Sequence, residues 1–190
     1  TDGVMHMIQS GHVTGEKKTL HHRKVASSII MGSKALYDFI DHNEMIEMYP
    51  VHHMNDPYVI GQNDRMVSIN SCLEIDLYGQ VASEAIGLEQ FSGTGGQVDY
   101  LRGAKRSRGG RSILAFTSTA KGGTVSRIVP VLPPGATVTS GRNEVDYIAT
   151  EYGAVRLRGL TLRERALALV SIAHPDFRLG LMAAIEERFS

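Results

Sequence analysis

Tryptophan is absent from the chain and cysteine occurs once, at Cys72. A lone thiol excludes an internal disulfide framework and fits a reducing, cytoplasmic setting. No apolar run approaches the roughly 18–20 residues that a membrane-spanning helix needs. The N-terminus has neither the basic start nor the apolar stretch of a signal peptide. Net charge is missing too: 20 Lys and Arg balance 20 Asp and Glu. That removes any global electrostatic case for nucleic acid or a membrane surface as partner. There is no G-x-S-x-G elbow, no Walker lysine pattern, no HExxH and no paired CxxC. What remains is 190 residues, 42% hydrophobic and 21% charged, an ordinary balance for a globular domain with a buried core.

The chain does not start with Met, and Asp2–Gln9 reads as a helix already under way, stopped at Ser10-Gly11. It therefore reads as the C-terminal piece of a longer protein. Residues 12–24 read as a polar, basic loop. Strands are expected at Val25–Met31, Ile46–Tyr49, Met66–Asn70, Cys72–Tyr78, Val81–Glu84, Ser112–Phe116, Ser126–Leu132, Val145–Thr150 and Ala154–Leu157. In Cys72–Tyr78 the alternation of Leu73, Ile75 and Leu77 with Glu74, Asp76 and Tyr78 predicts a wetter face. Helices are expected at Ala35–Asp41, Val98–Lys105 and Asp176–Arg188, and after Thr161, where Glu164 completes a capping box. Asn55-Asp-Pro57 reads as a turn or helix start. The pattern is one mixed α/β domain with a central sheet.

The richest stretch is Phe91-Ser-Gly-Thr-Gly-Gly-Gln-Val-Asp-Tyr-Leu-Arg102, a glycine turn running into a helix. Small residues there let backbone N–H groups approach an anion or an electron-rich carbonyl oxygen. Arg102, Lys105, Arg106, Arg108, Arg111, Lys121 and Arg127 surround it in sequence and suggest a local positive field suited to a nucleotide or coenzyme A, or else a solvated face. RNA binding lacks interleaved aromatics. His21-His22 and His52-His53 are adjacent pairs; on a strand their rings would face opposite ways, so no metal is expected. Cys72 reads as a buried, inert thiol. Glu74 and Asp76 read as structural, while Glu84 and Glu89 flank the approach to the turn.

Four ordered motifs, Met48-Tyr-Pro-Val with Asn55-Asp-Pro, Ile69-Asn-Ser-Cys-Leu-Glu-Ile-Asp-Leu-Tyr-Gly-Gln80, Ser92-Gly-Thr-Gly-Gly-Gln-Val-Asp99 and Ser118-Thr-Ala-Lys-Gly-Gly-Thr-Val-Ser-Arg-Ile-Val-Pro130, together with Glu151-Tyr-Gly-Ala-Val, resemble the C-terminal half of the acetyl-CoA hydrolase/transferase family. Within it the likeness is greatest to the 4-hydroxybutyrate CoA-transferases, and it spans residues 1–190 as one C-terminal domain. The resemblance implies an open mixed sheet with flanking helices, of the CoA-transferase (NagB/RpiA-like) type. It implies CoA exchange between a short acyl-CoA and a carboxylic acid through a glutamyl-CoA intermediate.

Carried over residue by residue, the resemblance makes Asn55 and Gly96 the groups that orient the nucleophile or hold the oxyanion. Ser92, Gly95, Gly96, Ser118 and Thr119 then line the CoA chain, with Lys121 a further phosphate or pantetheine contact. In the family the nucleophilic glutamate precedes the Asp-Gly that here is Asp2-Gly3, so it is expected outside these residues, and the piece alone is expected to be inactive. No tightly bound cofactor is implied, CoA being substrate. The expected partners are the N-terminal half of the same enzyme and further copies in a homo-oligomer. Acyl-CoA hydrolysis and a non-catalytic CoA- or nucleotide-binding module stand as the alternatives.

Overall fold

A computed structural model describes residues 1–189. Helix α1 (Asp2–Gln9) opens the chain and ends at Ser10, with Gly11 at φ +75°. Strand β1 (Val25–Ser27) pairs in parallel with β2 (Ile46–Met48) across α2 (Lys34–Ile40). The strand expected to reach Met31 stops at Ser27. Its hydroxyl donates to the Ile29 carbonyl at 2.7 Å and turns the chain, leaving Ile29 and Met31 exposed. Two short helices follow, α3 (Val51–Met54), not foreseen in the sequence, and α4 (Pro57–Gly61). Asp56 caps α4 by accepting from Tyr58 N–H at 2.8 Å, and Pro57 occupies the first helical position, as the Asn-Asp-Pro spacing suggests.

Next come β3 (Val67–Asn70), β4 (Glu74–Asp76), β5 (Val81–Ala82) and a small hairpin of β6 (Ala85–Ile86) with β7 (Glu89–Gln90). Helix α5 (Gln97–Arg106) leads into β8 (Arg111–Ala115), then β9 (Thr119–Ala120), β10 (Val125–Ser126) and β11 (Ile128–Val129). The chain closes with β12 (Tyr147–Thr150), β13 (Gly153–Arg156), α6 (Leu162–Ser171) and α7 (Pro175–Phe189).

The expected α/β class with open mixed sheets and flanking helices is present, but the single central sheet is not. The strands divide into a four-stranded sheet, order β13-β12-β8-β3, a three-stranded sheet, order β11-β4-β5, and three two-stranded pairs. Strands β3, β8 and β12 run parallel, and β13 returns antiparallel on β12. One core joins both larger sheets to the C-terminal helices: Ile75, Leu77, Val81, Leu101, Leu114, Ile128, Ile148, Leu169 and Ile185 are all fully or almost fully buried.

The wetter face expected of Cys72–Tyr78 is absent. Strand β4 is the middle strand of its sheet, and Glu74 and Asp76 are buried with Ile75. Asp76 is satisfied by a turn of its own making: Oδ1 accepts from Tyr78 N–H at 3.0 Å and Gln80 N–H at 2.8 Å, and Oδ2 from Gln80 Nε2. Glu74 is not so provided for, since its Oε2 has no hydrogen-bond partner among the described residues. Burial raises its pKa above the usual carboxylate value, against the pull of Arg127.

Candidate active site

Parallel neighbours β3 and β8 require the chain to return between them, and α5 is the returning helix. Its N-terminus therefore lies at the carboxyl edge of the sheet, the edge where ligands gather in open α/β folds. Gly96 is the N-cap and supplies no side-chain cap. The N–H groups of Gly93 through Asp99 make no hydrogen bond among the described residues. They leave the positive end of the helix without an internal acceptor. Gly95 has φ +56°, where a side chain is disfavoured, and residues 91–95 are exposed.

Gly96 is needed for a different reason. A Cβ built on it would overlap Asn55 Nδ2 and lie 3.0 Å from Asn55 Cγ. Two residues 41 positions apart, both named from sequence, are thus in direct contact. The half-buried Asn55 side chain makes no hydrogen bond among the described residues, so its amide remains available beside the backbone donors.

The other named residues are placed differently. Ser92 is exposed at the mouth of the turn, its Oγ donating to the Gly93 carbonyl at 3.0 Å. Ser118 is fully buried. Its N–H and its hydroxyl are both held by Glu151, at 2.8 and 2.6 Å. Its carbonyl accepts from Arg127 N–H at 2.9 Å, so its side-chain and backbone polar atoms are all committed within the fold and the expected lining role for Ser118 is not met by a free polar group. Thr119 is half-buried in β9, and Lys121 is exposed on a turn with φ +48°. Glu84 is buried, and its carbonyl accepts from Phe91 N–H at 2.7 Å, anchoring the start of the turn, while Glu89 is exposed on β7.

Two further residues act as scaffold: Glu151, quoted from sequence only within a family motif, and Arg127, grouped there with the basic field. Glu151 follows β12 in Glu151-Tyr-Gly153. Burial pushes its carboxyl pKa up, but the two Ser118 bonds win and hold it below the usual value. Arg127 donates to the carbonyls of Leu73 and Cys72 and to Thr117 Oγ1, with its guanidinium 5.4 Å from the Phe116 ring centre. It binds the segments after β3 and β8 at the site edge.

The expected positive field around the glycine turn is met in part by acidic partners. Arg102 pairs with Glu144 and Arg108 with Asp64. Lys105 donates to the Asn143 carbonyl, and Arg106 stacks over Tyr58. The histidine pairs sit on a turn and on α3 rather than on strands. His21 and His53 meet across the fold, Nε2 to Nε2 at 3.3 Å, against Tyr49. Among the described residues no group of three or more His, Cys, Asp or Glu is placed to hold a metal ion. Burial raises the Cys72 thiol to about 12, which makes it inert. A large cavity of about 1060 Å³ lies beside α4 and α5, lined by the 11–19 loop, Met54, Val59, Ile60 and Tyr100, and none of the named site residues borders it.

An open α/β fold with an uncapped helix N-terminus and an amide side chain beside it is a setting able to receive an anion or a carbonyl oxygen. Comparison with known proteins identifies the family: residues 32–185 match the acetyl-CoA hydrolase/transferase C-terminal domain, and the chain belongs to that family. It is 56% identical over 189 residues to the 4-hydroxybutyrate coenzyme A transferase of Clostridium kluyveri, covering 100% of this chain and 44% of that protein. It is 51% identical over 184 residues to the succinyl-CoA:cyclohexane-1-carboxylate CoA transferase of Geobacter metallireducens, covering 97% and 42%. Among solved structures, the 4-hydroxybutyrate CoA-transferase of Porphyromonas gingivalis superposes with TM-score 0.86 at 60% identity, over 99% of this chain and 43% of that one. RipA of Yersinia pestis superposes with TM-score 0.92 at 44% identity, over 98% and 42%. The chain thus spans less than half the length of these relatives.

Proposed function

We propose that this chain is the C-terminal half of a CoA-transferase that moves CoA between a short acyl-CoA, such as 4-hydroxybutyryl- or acetyl-CoA, and a carboxylic acid. The observation that carries the reading is the contact of Asn55 with Gly96 at the open N-terminus of α5. The names of the relatives support it.

In this reading a glutamate outside the 190 residues attacks the thioester carbonyl. The tetrahedral oxyanion is held by backbone N–H groups at Gly95 and Gly96 and by the Asn55 amide. Its collapse expels CoA thiolate and leaves an acyl-glutamyl anhydride. The thiolate attacks the glutamyl carbonyl, releasing the first acid and forming glutamyl-CoA. The second acid attacks that thioester, giving a new anhydride and free thiolate. The thiolate then attacks the new acyl carbon and regenerates the glutamate. Each attack creates an oxyanion that the same preorganised donors can meet.

CoA is substrate in this scheme, and no tightly bound cofactor is required. The N-terminal half of the same enzyme completes the site, and a homo-oligomer is the expected assembly. No helix among the described residues is long and apolar enough to cross a membrane. We place the protein in the cytoplasm, a setting that its single buried thiol supports.

The test is exchange by the full-length protein between acetyl-CoA or 4-hydroxybutyryl-CoA and added acids, with mass spectrometry of the protein after acyl-CoA alone. A CoA adduct on a glutamate upstream of Thr1 and acid-dependent exchange are expected. Free CoA released without need of an acid would make the protein a hydrolase. Binding without turnover would make it a CoA-binding module. The 190-residue chain alone is expected to form no adduct.

A further inference from the structure

The Asn55 side chain has no hydrogen bond among the described residues, while its backbone N–H donates to the Val51 carbonyl at 2.8 Å and closes α3. Its position is therefore set by the helices on either side of it, and on the far side is α4. Asp56 caps the helix and Pro57 fixes its first turn, so Asn55 is tied stiffly to it. Helix α4 in turn rests on α5 through Ile60, which is 4% exposed. A Cβ built on Gly103 would overlap Ile60 Cγ2 and lie 2.5 Å from Ile60 Cβ. The Ile60 side chain thus bears directly on the α5 backbone. Contacts at Gly96, Gly103 and Arg106 meet Asn55, Ile60 and Gly61 in the same order, so the two helices run side by side in one direction.

Met54, Val59, Ile60 and Asn63 also border the large cavity, which Tyr100 of α5 lines as well. Against α5 the Ile60–Gly103 contact is a stop for the helix. We propose that Ile60, seated on Gly103, is a positioning residue that holds the Asn55 amide against Gly96; the proposal rests on the transferase reading above. Shortening Ile60 lets α4 settle closer or drift toward the cavity. Adding a methyl group at Gly103 pushes α4 out. Either moves an oxyanion donor, and displacement of a reacting group by about 1 Å costs on the order of a hundredfold in rate.

The experiment uses the full-length protein with Ile60→Ala, Ile60→Val, Gly103→Ala and, as a stability control, Leu169→Ala in the distant core of α6. We expect Ile60→Ala and Gly103→Ala to lower kcat about tenfold or more, with KM for acyl-CoA changed less than about twofold. Ile60→Val should retain most turnover. Leu169→Ala should lower Tm at least as much and leave kcat near that of the parent. A kcat loss for Ile60→Ala no greater than that of Leu169→Ala would overturn the proposal, as would a change in KM alone. Crystal structures of the Ile60→Ala and parent proteins give a reading independent of activity: Asn55 is expected to leave Gly96, and an unmoved Asn55 sinks the idea. If the parent exchanges no CoA, the functional reading fails, and this second reading still decides the positioning.

Discussion

Gly96 shows how one hydrogen atom in place of a methyl group organises the site. A Cβ there collides with the Asn55 amide, so Gly96→Ala is expected to displace that donor. In the full-length enzyme kcat should fall on the order of a hundredfold, the scale for loss of one oxyanion donor. Far-UV circular dichroism should not change. Unaltered turnover would mean that the turn only bends the chain. Glu74 is the counterpart in the core. Burial raises its pKa above the unfolded value, so folding favours its protonated form. Its contribution to stability is greatest below the unfolded pKa, near 4.5, and is lost as pH rises through the folded value. Glu74→Gln should therefore raise Tm at pH 7.5 and have progressively less effect towards pH 4, measured by thermal unfolding across that range. A gain that does not depend on pH would point to packing and not to ionisation.

Element by element, local chemistry was the most legible. The capping box of α6 is formed as the Thr161–Glu164 spacing suggests, with Thr161 Oγ1 accepting from Glu164 N–H and Glu164 accepting from Thr161 N–H. Thr161→Ala should cost about 1 kcal/mol, seen as a lower denaturant midpoint with an unchanged m-value. Asp56 and Pro57 at the start of α4 were legible for the same reason: caps are read from neighbours in sequence. What sequence concealed was set by distant partners. The alternation in Cys72–Tyr78 suggests a wet face, but β11 and β5 flank β4 and both of its carboxylates are buried. Ser118 lies at a strand end where ligands gather, yet Glu151, 33 residues away, takes both its polar groups. Of the basic residues near the glycine turn, Arg102 and Arg108 are paired with acids from elsewhere in the fold, Glu144 and Asp64. Roles for Asn55 and for Gly96 were implied separately by likeness to a family, and the structure brings the two into contact.

At the scale of the molecule, the site edge is built from segments that are far apart in the chain. Arg127 is where they converge, joining the carbonyls of Cys72 and Leu73 to Thr117. That has a consequence for the order of events in folding. Closing contacts across more than fifty residues carries a loop-entropy cost that local helices such as α6 and α7 do not bear. The helices and the β12–β13 hairpin are expected to form early, and the Arg127 junction only after the barrier is crossed. Arg127→Ala should then speed unfolding and leave the refolding rate almost untouched in a stopped-flow chevron. Slowed refolding would place the junction in the nucleus instead. If it does form last, the edge proposed to receive the thioester is also the first to loosen, so its operating lifetime is governed by an unfolding rate and not by the stability of the core.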